Sequence, residues 1–491
     1  MSTGVHDRRA GWRGWWAAWV VVLVLGMAPR TTWAAEGPTA VLELEEVLAS
    51  VRRTHPTLEG AQRVVDEREA QAFAARGGFD PVLSIRGKWA PVGYYPSGQV
   101  DALVTQATPL WGLRAYAGYR LGLGAYPVYK GDLRTLSGGE VRAGLSLPVW
   151  RGGPIDERRA KLRKTRVEQR GAQHARSAAQ LQVERDAAKA YWAWVAAGQS
   201  LQVARELLAT AQARDDGLRQ QVAAGGVAPI ALTDNARLVL DRQAKVVKAQ
   251  RELQEATLAL SLYLRDARQR PIRPDAARLP PALPGPAAAP LRAEEAAEEA
   301  TVQRALTQRP DARALDAQRE SAQVDVRLAA NARGPAVDLQ TFVAKDLGDG
   351  PAELGPVEAG VGVTLEMALP LRRARGEHQA AKARVGRLDA ERRALRDAIE
   401  AEVRRAYVAV DAAQQRVQLA REQRDVAVRL AEAEREQLDR GSSDLLAVNL
   451  RELAAAEAAL LEIDALADYH RARADLLAAA GGASMTSTDP T

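Results

Sequence analysis

The chain has 491 residues, no cysteine and only 5% aromatic residues. The lack of cysteine excludes disulfide frameworks, thiolate metal sites and a lipid-modified N-terminal cysteine, and the composition favours long helices over a large globular core. The formal charge of +6 falls to about +3 if residues 1–34 are removed, because they contain four Arg and one Asp, so charge gives no indication of nucleic-acid binding.

Residues 1–34 have the pattern of a secretory signal peptide. Arg8, Arg9 and Arg13 precede an apolar run from Trp15 to Ala28, and Thr32-Trp33-Ala34 is a small-x-small cleavage site. The run is short for a membrane span; a retained anchor helix is the alternative. No later run approaches eighteen apolar residues, so any membrane embedding of the mature chain is expected to use strands.

The rest of the chain is an internal duplication. Pro56 and Pro310 each open a helix, and a strand that ends at Pro148 or Pro370 leads into a very long helix. Each half therefore reads helix, strand, strand, long helix, turn, return helix. The predicted segments are a first repeat at 35–265 (strands about 81–148, helical hairpin 154–265), a Pro/Ala-rich linker at 266–301, a second repeat at 302–480 (strands about 335–370, helical hairpin 372–480) and a disordered tail at 481–491.

The long helices are the dominant feature of this pattern. Each runs for about 70 residues and would reach roughly 100 Å. They have the narrow 3-4 apolar spacing of a coiled-coil seam. In the second half the predicted seam consists of Ile399, Val403, Ala406, Val410, Ala413 and Val417 on the outgoing helix and of Leu446, Leu450, Leu453, Ala456, Leu460 and Ile463 on the return helix.

The strands alternate between apolar and polar residues, as in 359–369, which is typical of a sheet with one apolar and one wet face. Two clear strands per half predict about four per chain; the longer strand region of the first half is either long loops or an extra hairpin. A closed membrane barrel needs at least about eight strands. The pattern therefore predicts a homo-oligomer that shares one barrel, with the helices continuing as a tube. An ordinary water-soluble half-buried sheet is the alternative.

The chain resembles the TolC-like outer membrane efflux protein family from about Leu42 to Gly481. The resemblance rests on the duplication, on the strand-to-helix junction Leu147-Pro148-Val149-Trp150-Arg151-Gly152-Gly153, and on the glycine turn that leads to Asn235-Ala236-Arg237. It implies a mostly α fold with a small β part, a homotrimer, a twelve-stranded outer-membrane barrel and an α-helical periplasmic tunnel. It also implies contact with outer-membrane lipid, a periplasmic adaptor and an inner-membrane pump.

The sequence departs from the family at the inner gate. Relatives with a carboxylate-ringed constriction have acidic residues about six and nine positions after the second turn glycine and six after the first, where this chain has Ala447, Leu450 and Leu232. We therefore expect apolar closure by Leu446 and Leu450. The candidate gate residues are Asp444, Leu446, Leu450, Asp234 and Arg237, with Asp444 and Asp234 as shifted charges. Alternatively, Asp444 only caps the return helix.

The two glycine turns are the expected periplasmic tips, where the resemblance places adaptor docking; a hairpin turn without a partner is the alternative. The candidate docking residues are Gly225, Gly226, Arg219, Arg440, Gly441, Ser442 and Ser443. We also expect aromatic girdles at the two membrane interfaces. The candidate residues lie in or beside the strands: Tyr94, Tyr95, Tyr116, Tyr119, Trp89, Trp111 and Trp150.

The sequence shows no pattern of enzymatic chemistry. Its five histidines are scattered without zinc-ligand spacing, and it contains no Walker sequence or nucleophile elbow. We expect no catalytic site, no metal, no cofactor and no nucleic-acid partner. The remaining alternatives are a periplasmic adaptor, which also has long helical hairpins, and a structural coiled-coil protein of the cell envelope.

Overall fold

The computed structural model describes residues 40–127, 133–286 and 295–482. The predicted signal peptide and all but two residues of the predicted tail lie outside this part. The elements in chain order are α1 Leu44–Thr54, α2 Pro56–Arg76, β1 Val82–Ala90, β2 Ser97–Ala107, β3 Arg114–Gly124, β4 Glu140–Pro148, α3 Glu157–Ala223, α4 Ile230–Ser261, α5 Glu295–Gln308, α6 Pro310–Asn331, β5 Ala336–Asp346, β6 Glu358–Glu366, α7 Arg372–Asp439 and α8 Leu445–Ala479.

The fold is mostly helical with one small antiparallel sheet, as the sequence predicts. α3 has 67 residues and α7 has 68, so each is about 100 Å long. α2 and α6 begin at Pro56 and Pro310, where a proline at the first helical position loses no hydrogen bond. None of the helices in the described ranges combines the length and hydropathy that a transmembrane helix needs.

The helices pack together along their middle sections. The largest core cluster joins α1 and α5 to the long helices, with Leu48, Trp194, Val302 and Val403 almost completely buried. All six predicted seam residues of α7 are buried. The seam predicted for α8 is wrong at its start, since Leu446 and Leu450 are exposed while Val448 and Glu452 are buried. The reason is that α8 packs against α3 as well as α7, so its buried surface is wider than one stripe.

The number of strands differs from the prediction. The sheet has six strands in the order β1-β2-β3-β4-β5-β6, with every neighbouring pair antiparallel. Of the two alternatives for the long strand region of the first half, the extra hairpin is confirmed, as β2 and β3. Its glycine-rich strands, such as β3 with Gly118, Gly122 and Gly124, weaken the alternation that the prediction used. The sheet leaves β1 and β6 as its two edges.

The β2–β3 turn has positive φ at both of its central positions, and glycine occupies the second of them. The amide of Leu113 donates to the carbonyl of Leu110 at 2.9 Å, and the two central residues, Trp111 and Gly112, have φ values of 50° and 74°. Positive φ at both central residues matches the right-handed twist of the flanking strands. A Cβ at Gly112 would lie 2.6 Å from the carbonyl oxygen of Gly152.

We expect Gly112→Ala to destabilise the sheet, because the side chain meets backbone and the positive φ costs roughly 1–2 kcal/mol. Gly362→Ala is the control, because a Cβ at Gly362 in β6 meets nothing within 4 Å. The measurement is the temperature at which the assembled protein dissociates on mild gels. A lower temperature for Gly112→Ala than for Gly362→Ala is the expected result, and equal temperatures would show that this turn tolerates a side chain.

Candidate functional site: the hairpin tips and the two-faced sheet

Both helical hairpins turn on a glycine in the left-handed region. Gly225 has φ of 71° and Gly441 has φ of 79°, and the third residue beyond each helix donates its amide to a carbonyl of the last helical turn. Gly226 donates to Gln221 and Ser442 donates to Gln437, both at 2.9 Å. These bonds satisfy carbonyls that the helix end leaves free. The chain therefore reverses tightly at both tips.

The candidate gate residues occupy the helices that leave these turns. Leu446 and Leu450 lie on one face of α8 and are 66% and 59% exposed. Asp234 and Arg237 are also exposed, one turn apart on α4. Among the described residues, no hydrogen bond or ion pair joins Arg237 to Asp444. Within one chain, then, these side chains point outward and do not form a closed cluster.

Asp444 caps α8. Its Oδ1 accepts a hydrogen bond from the amide of Ala447 at 2.8 Å, and its backbone is extended. This is the geometry of an N-cap, which satisfies one of the first free amides of the helix. The capping alternative is therefore present in the structure, and a role of the carboxylate charge in a gate stays a prediction.

Two substitutions at Asp444 separate these roles. If Asp444 acts only as a cap, Asp444→Asn should preserve stability and channel behaviour, because asparagine caps equally well, while Asp444→Ala should lose about 1 kcal/mol. If the charge contributes to a gate, Asp444→Asn should change cation preference as much as Asp444→Ala. Ion selectivity in planar bilayers, measured beside the dissociation temperature, distinguishes the two outcomes.

A buried charge cluster lies about three helical turns from the tips and joins both hairpins. Glu452 on α8, with 2% of its side chain exposed, contacts Arg214 of α3 at 2.6 Å and Arg435 of α7 at 2.9 Å. Its second oxygen lies 3.5 Å from Arg242 of α4. Arg214 also donates to Asn449. One carboxylate thus connects all four helices near the tips.

The charges of this cluster depend on one another. Burial alone raises the pKa of the Glu452 carboxyl, but hydrogen bonds and charges from Arg214 and Arg435 outweigh burial and hold that pKa below its ordinary value. Burial lowers the pKa of Arg242, whose side chain is 1% exposed and whose Nη1 donates to the carbonyl of Leu207 at 2.8 Å. Because the folded pKa of Glu452 is depressed, its stabilisation is present at neutral pH and is lost only as pH falls below about 4.5.

The local sequence around Glu452 does not indicate its three arginine partners. Arg214 and Arg242 are 238 and 210 residues away from Glu452 in the chain. One signal was available, because Arg242 lies three residues after Val239 and four before Val246, which is the spacing of one apolar stripe on a helix. An arginine at a seam position indicates a buried partner of opposite charge.

The sheet has two chemically different faces. The pairing register places mainly apolar side chains of all six strands on one face, where Lys345 near the end of β5 is the one charged residue within these strands. Many of these apolar side chains are exposed in the chain, including Ile85, Val141, Val361 and Val363. The opposite face has the charged residues: Arg86, Lys88, Asp101, Arg114, Arg120, Glu140, Arg142, Asp338, Asp346, Glu358 and Glu366.

The aromatic residues fall at both ends of the sheet. Trp111 and Trp150 lie at the end where the strands meet the helices, and Trp89, Tyr94 and Tyr95 lie at the opposite end. Each of these five is exposed, from 48% for Tyr95 to 99% for Tyr94. By the register, Tyr119 lies on the apolar face and Tyr116 on the polar face. Five of the seven residues are distributed as two girdles, which stay a prediction; Tyr116, on the polar face, and Tyr119, in the middle of β3, do not fit.

Comparison with known proteins identifies the family. The sequence profile of the outer membrane efflux protein family matches residues 120–264 and 301–482. No curated protein sequence matches the chain significantly. Among solved structures, the outer membrane protein VceC of Vibrio cholerae is 16% identical with a TM-score of 0.62, and the alignment covers 89% of this chain and 96% of that chain.

Two outer membrane channels have the same fold. The CmeC channel of Campylobacter jejuni is 15% identical with a TM-score of 0.61, and the alignment covers 91% of this chain and 87% of that chain. The open-state MtrE channel of Neisseria gonorrhoeae is 17% identical with a TM-score of 0.61, and 89% of each chain is covered. The duplicated helical hairpins, the two-faced sheet and the profile match over both repeats lead to one conclusion: this chain belongs to the outer membrane efflux protein family.

Proposed function

We propose that this protein is the passive outer-membrane exit duct of a tripartite export system. The observation that carries the proposal is the sheet, which has one apolar face, two free edges and direct continuity with helices of about 100 Å. Strands of 9–11 residues are long enough to cross a bilayer when tilted. A lipid-facing apolar face and a wet charged face are what a membrane barrel requires.

The free edges support a shared barrel. β1 and β6 each lack a neighbour on one side, and unpaired backbone groups in hydrocarbon cost several kcal/mol each. β1 and β6 run in opposite directions, because the sheet is a meander with an even number of strands. The β6 edge of one chain can therefore continue antiparallel pairing with the β1 edge of a second copy. We propose a homotrimer on this basis and on the family resemblance.

We further propose that the hairpin tips lie in the periplasm, close the duct when it is idle and dock an adaptor. Leu446 and Leu450 would supply the apolar closure, with Asp234, Arg237 and Asp444 beside them. The docking surface would consist of the two turns and the flanking Arg219 and Arg440. The energy for transport would come from an inner-membrane pump, since the chain has no nucleotide-binding motif.

Fractionation tests the duct proposal. The expected result is recovery in the outer membrane, as trimers that run intact on mild gels and dissociate on heating. Recovery as a soluble periplasmic monomer would reject the proposal. It would favour one of the alternatives, an adaptor or a structural coiled-coil protein.

Charge reversal tests adaptor docking. Arg219 and Arg440 are each about 70% exposed, and each pairs with a carboxylate one turn away on its own helix, Asp215 and Glu436. We expect the double variant Arg219→Glu with Arg440→Glu to assemble normally but to lose pump-dependent export. Arg63→Glu is the matched control, because Arg63 is as exposed but lies on α2, away from the tips. Intact export in the double variant would count against docking at this surface.

A further inference from the structure

The two repeats differ in the number of strands. The first repeat has four strands between α2 and α3, whereas the second has two between α6 and α7. The duplication equates β1 and β4 with β5 and β6, because each pair follows a short helix and precedes a long one. β2 and β3 are therefore an additional hairpin. The family profile matches from residue 120 onward, so β1, β2 and about half of β3 precede the matched segment.

The additional hairpin continues both faces of the sheet. On the apolar side, Val104 of β2 pairs with Leu83 of β1 and with Ala117 of β3, which in turn pairs with Ala143 of β4. Because side chains alternate along a strand, a shift of one residue would have moved charges to this side. No such shift occurs at any of the three junctions.

An ion network fixes this register on the polar side. Asp101 of β2 contacts Arg120 of β3 at 3.1 Å and Arg142 of β4 at 2.5 Å, and Arg120 lies 3.8 Å from Glu140. Between 12% and 21% of each of these four side chains is exposed. The hairpin is therefore tied to β4 by charges as well as by backbone hydrogen bonds. A charged network of this kind belongs on the water side of a membrane wall.

The hairpin is also anchored where the sheet meets the helices. Trp111 packs so close to Gly153 that a Cβ there would lie 2.5 Å from its indole nitrogen, and Gly112 approaches the carbonyl of Gly152. Arg159, at the start of α3, donates to the carbonyl of Gly153 at 2.7 Å. The β2–β3 turn thus contacts the segment that joins β4 to α3. The hairpin therefore ends at the same height along the sheet as β4.

We propose that β2 and β3 are part of the membrane wall, so that three chains build a barrel of eighteen strands. The inference rests on the proposed trimeric duct and departs from the twelve strands that the family resemblance implies. At a strand spacing of about 4.8 Å and a tilt of about 40°, eighteen strands give a backbone diameter of about 36 Å. Twelve strands at the same spacing and tilt give about 24 Å. The wider mouth would leave selection of cargo to the periplasmic end.

Electron cryo-microscopy of the protein in lipid nanodiscs tests the strand number directly. Eighteen strands are expected for the full chain. Deletion of residues 97–135 removes β2 and β3 and is expected to leave twelve strands. In the full chain Arg86 pairs with Asp101, Asp101 with Arg120 and Arg120 with Glu140. In the variant β1 can therefore pair directly with β4, with Arg86 opposite Glu140. A trimer of the full chain with a twelve-stranded wall would overturn the inference and leave the duct function intact. Absence of any trimeric barrel would reject both.

Cysteine labelling gives a second test that does not depend on the deletion variant folding. The chain has no cysteine, so Gln99→Cys and Val100→Cys place single thiols on the polar and apolar faces of β2. Gln340→Cys and Leu339→Cys are the matched pair in β5. In lipid vesicles, a charged maleimide should label the polar-face thiol faster than the apolar-face thiol by the same factor in both strands. A difference in β5 but not in β2 would remove the hairpin from the wall, and no difference in either strand would reject the duct itself.

Discussion

Replacement of Glu452 by alanine is expected to open the proposed duct at the end formed by the hairpin tips. The carboxylate contacts arginines of α3, α4 and α7 together, at 2.6, 3.5 and 2.9 Å. Its loss leaves Arg242 buried without a counter-charge, and an uncompensated buried charge costs about 3–5 kcal/mol. The four helices can relieve that cost only by separating or by admitting water.

The measurement is single-channel conductance in planar bilayers, together with entry of a bulky antibiotic that the intact outer membrane excludes. We expect larger conductance and greater sensitivity for Glu452→Ala. Glu462→Ala is the control, because Glu462 is also buried on α8 but pairs with Arg421 and Arg424 of α7 alone. If both variants behaved alike, the effect would reflect general loosening of α8 rather than a connection between the hairpins.

A charge on the apolar face of the sheet is expected to prevent assembly in the outer membrane. Val363 lies near the middle of β6, pairs with Leu339 and is 68% exposed in the chain. In the proposed barrel its position faces hydrocarbon, where arginine at the midplane costs about 2–4 kcal/mol per chain. Three chains multiply this cost in one barrel, so Val363→Arg should abolish trimers in the membrane fraction.

The neighbouring residue provides the control. Thr364 is also exposed, but it pairs with Asp338 on the polar face. Thr364→Arg should therefore assemble at the level of the unmodified protein, because its side chain enters water. Membrane fractionation and mild gels measure both variants. Equal behaviour of the two would mean that the face of β6 assigned to lipid does not contact it.

The sequence predicted the elements that depend on local periodicity. The six seam positions of α7 recur at helical spacing and are all buried, and the strand that ends before Pro370 alternates as the register requires. The extra hairpin could only be left as one of two alternatives, because glycines in β3, and in β2 Gln106 on the apolar face and Leu103 on the polar face, interrupt the apolar alternation. Strands of this kind become evident only when the structure shows their pairing with neighbouring strands.

The candidate site was harder to predict, because it depends on packing between distant segments. Leu446 and Leu450 are exposed because α8 also packs against α3. The apolar spacing within α8 alone cannot predict that contact. Lys189 of α3 meets Asp475 of α8 at 2.9 Å, and these residues are 286 positions apart. Two of the three arginine partners of Glu452, Arg214 and Arg242, are likewise 238 and 210 positions away from it. Only the turn glycines and the cap at Asp444 follow from local sequence.

Disulfide crosslinking between β1 and β6 tests the shared barrel most directly. Four strands separate these edges within one chain, so any disulfide between them joins two chains. Ser84→Cys in β1 is combined in turn with Gly362→Cys, Thr364→Cys or Glu366→Cys in β6, all on the polar face. Oxidation of membranes should give covalent trimers for at least one pair, and absence of crosslinked chains for all three pairs would contradict a barrel built from several copies.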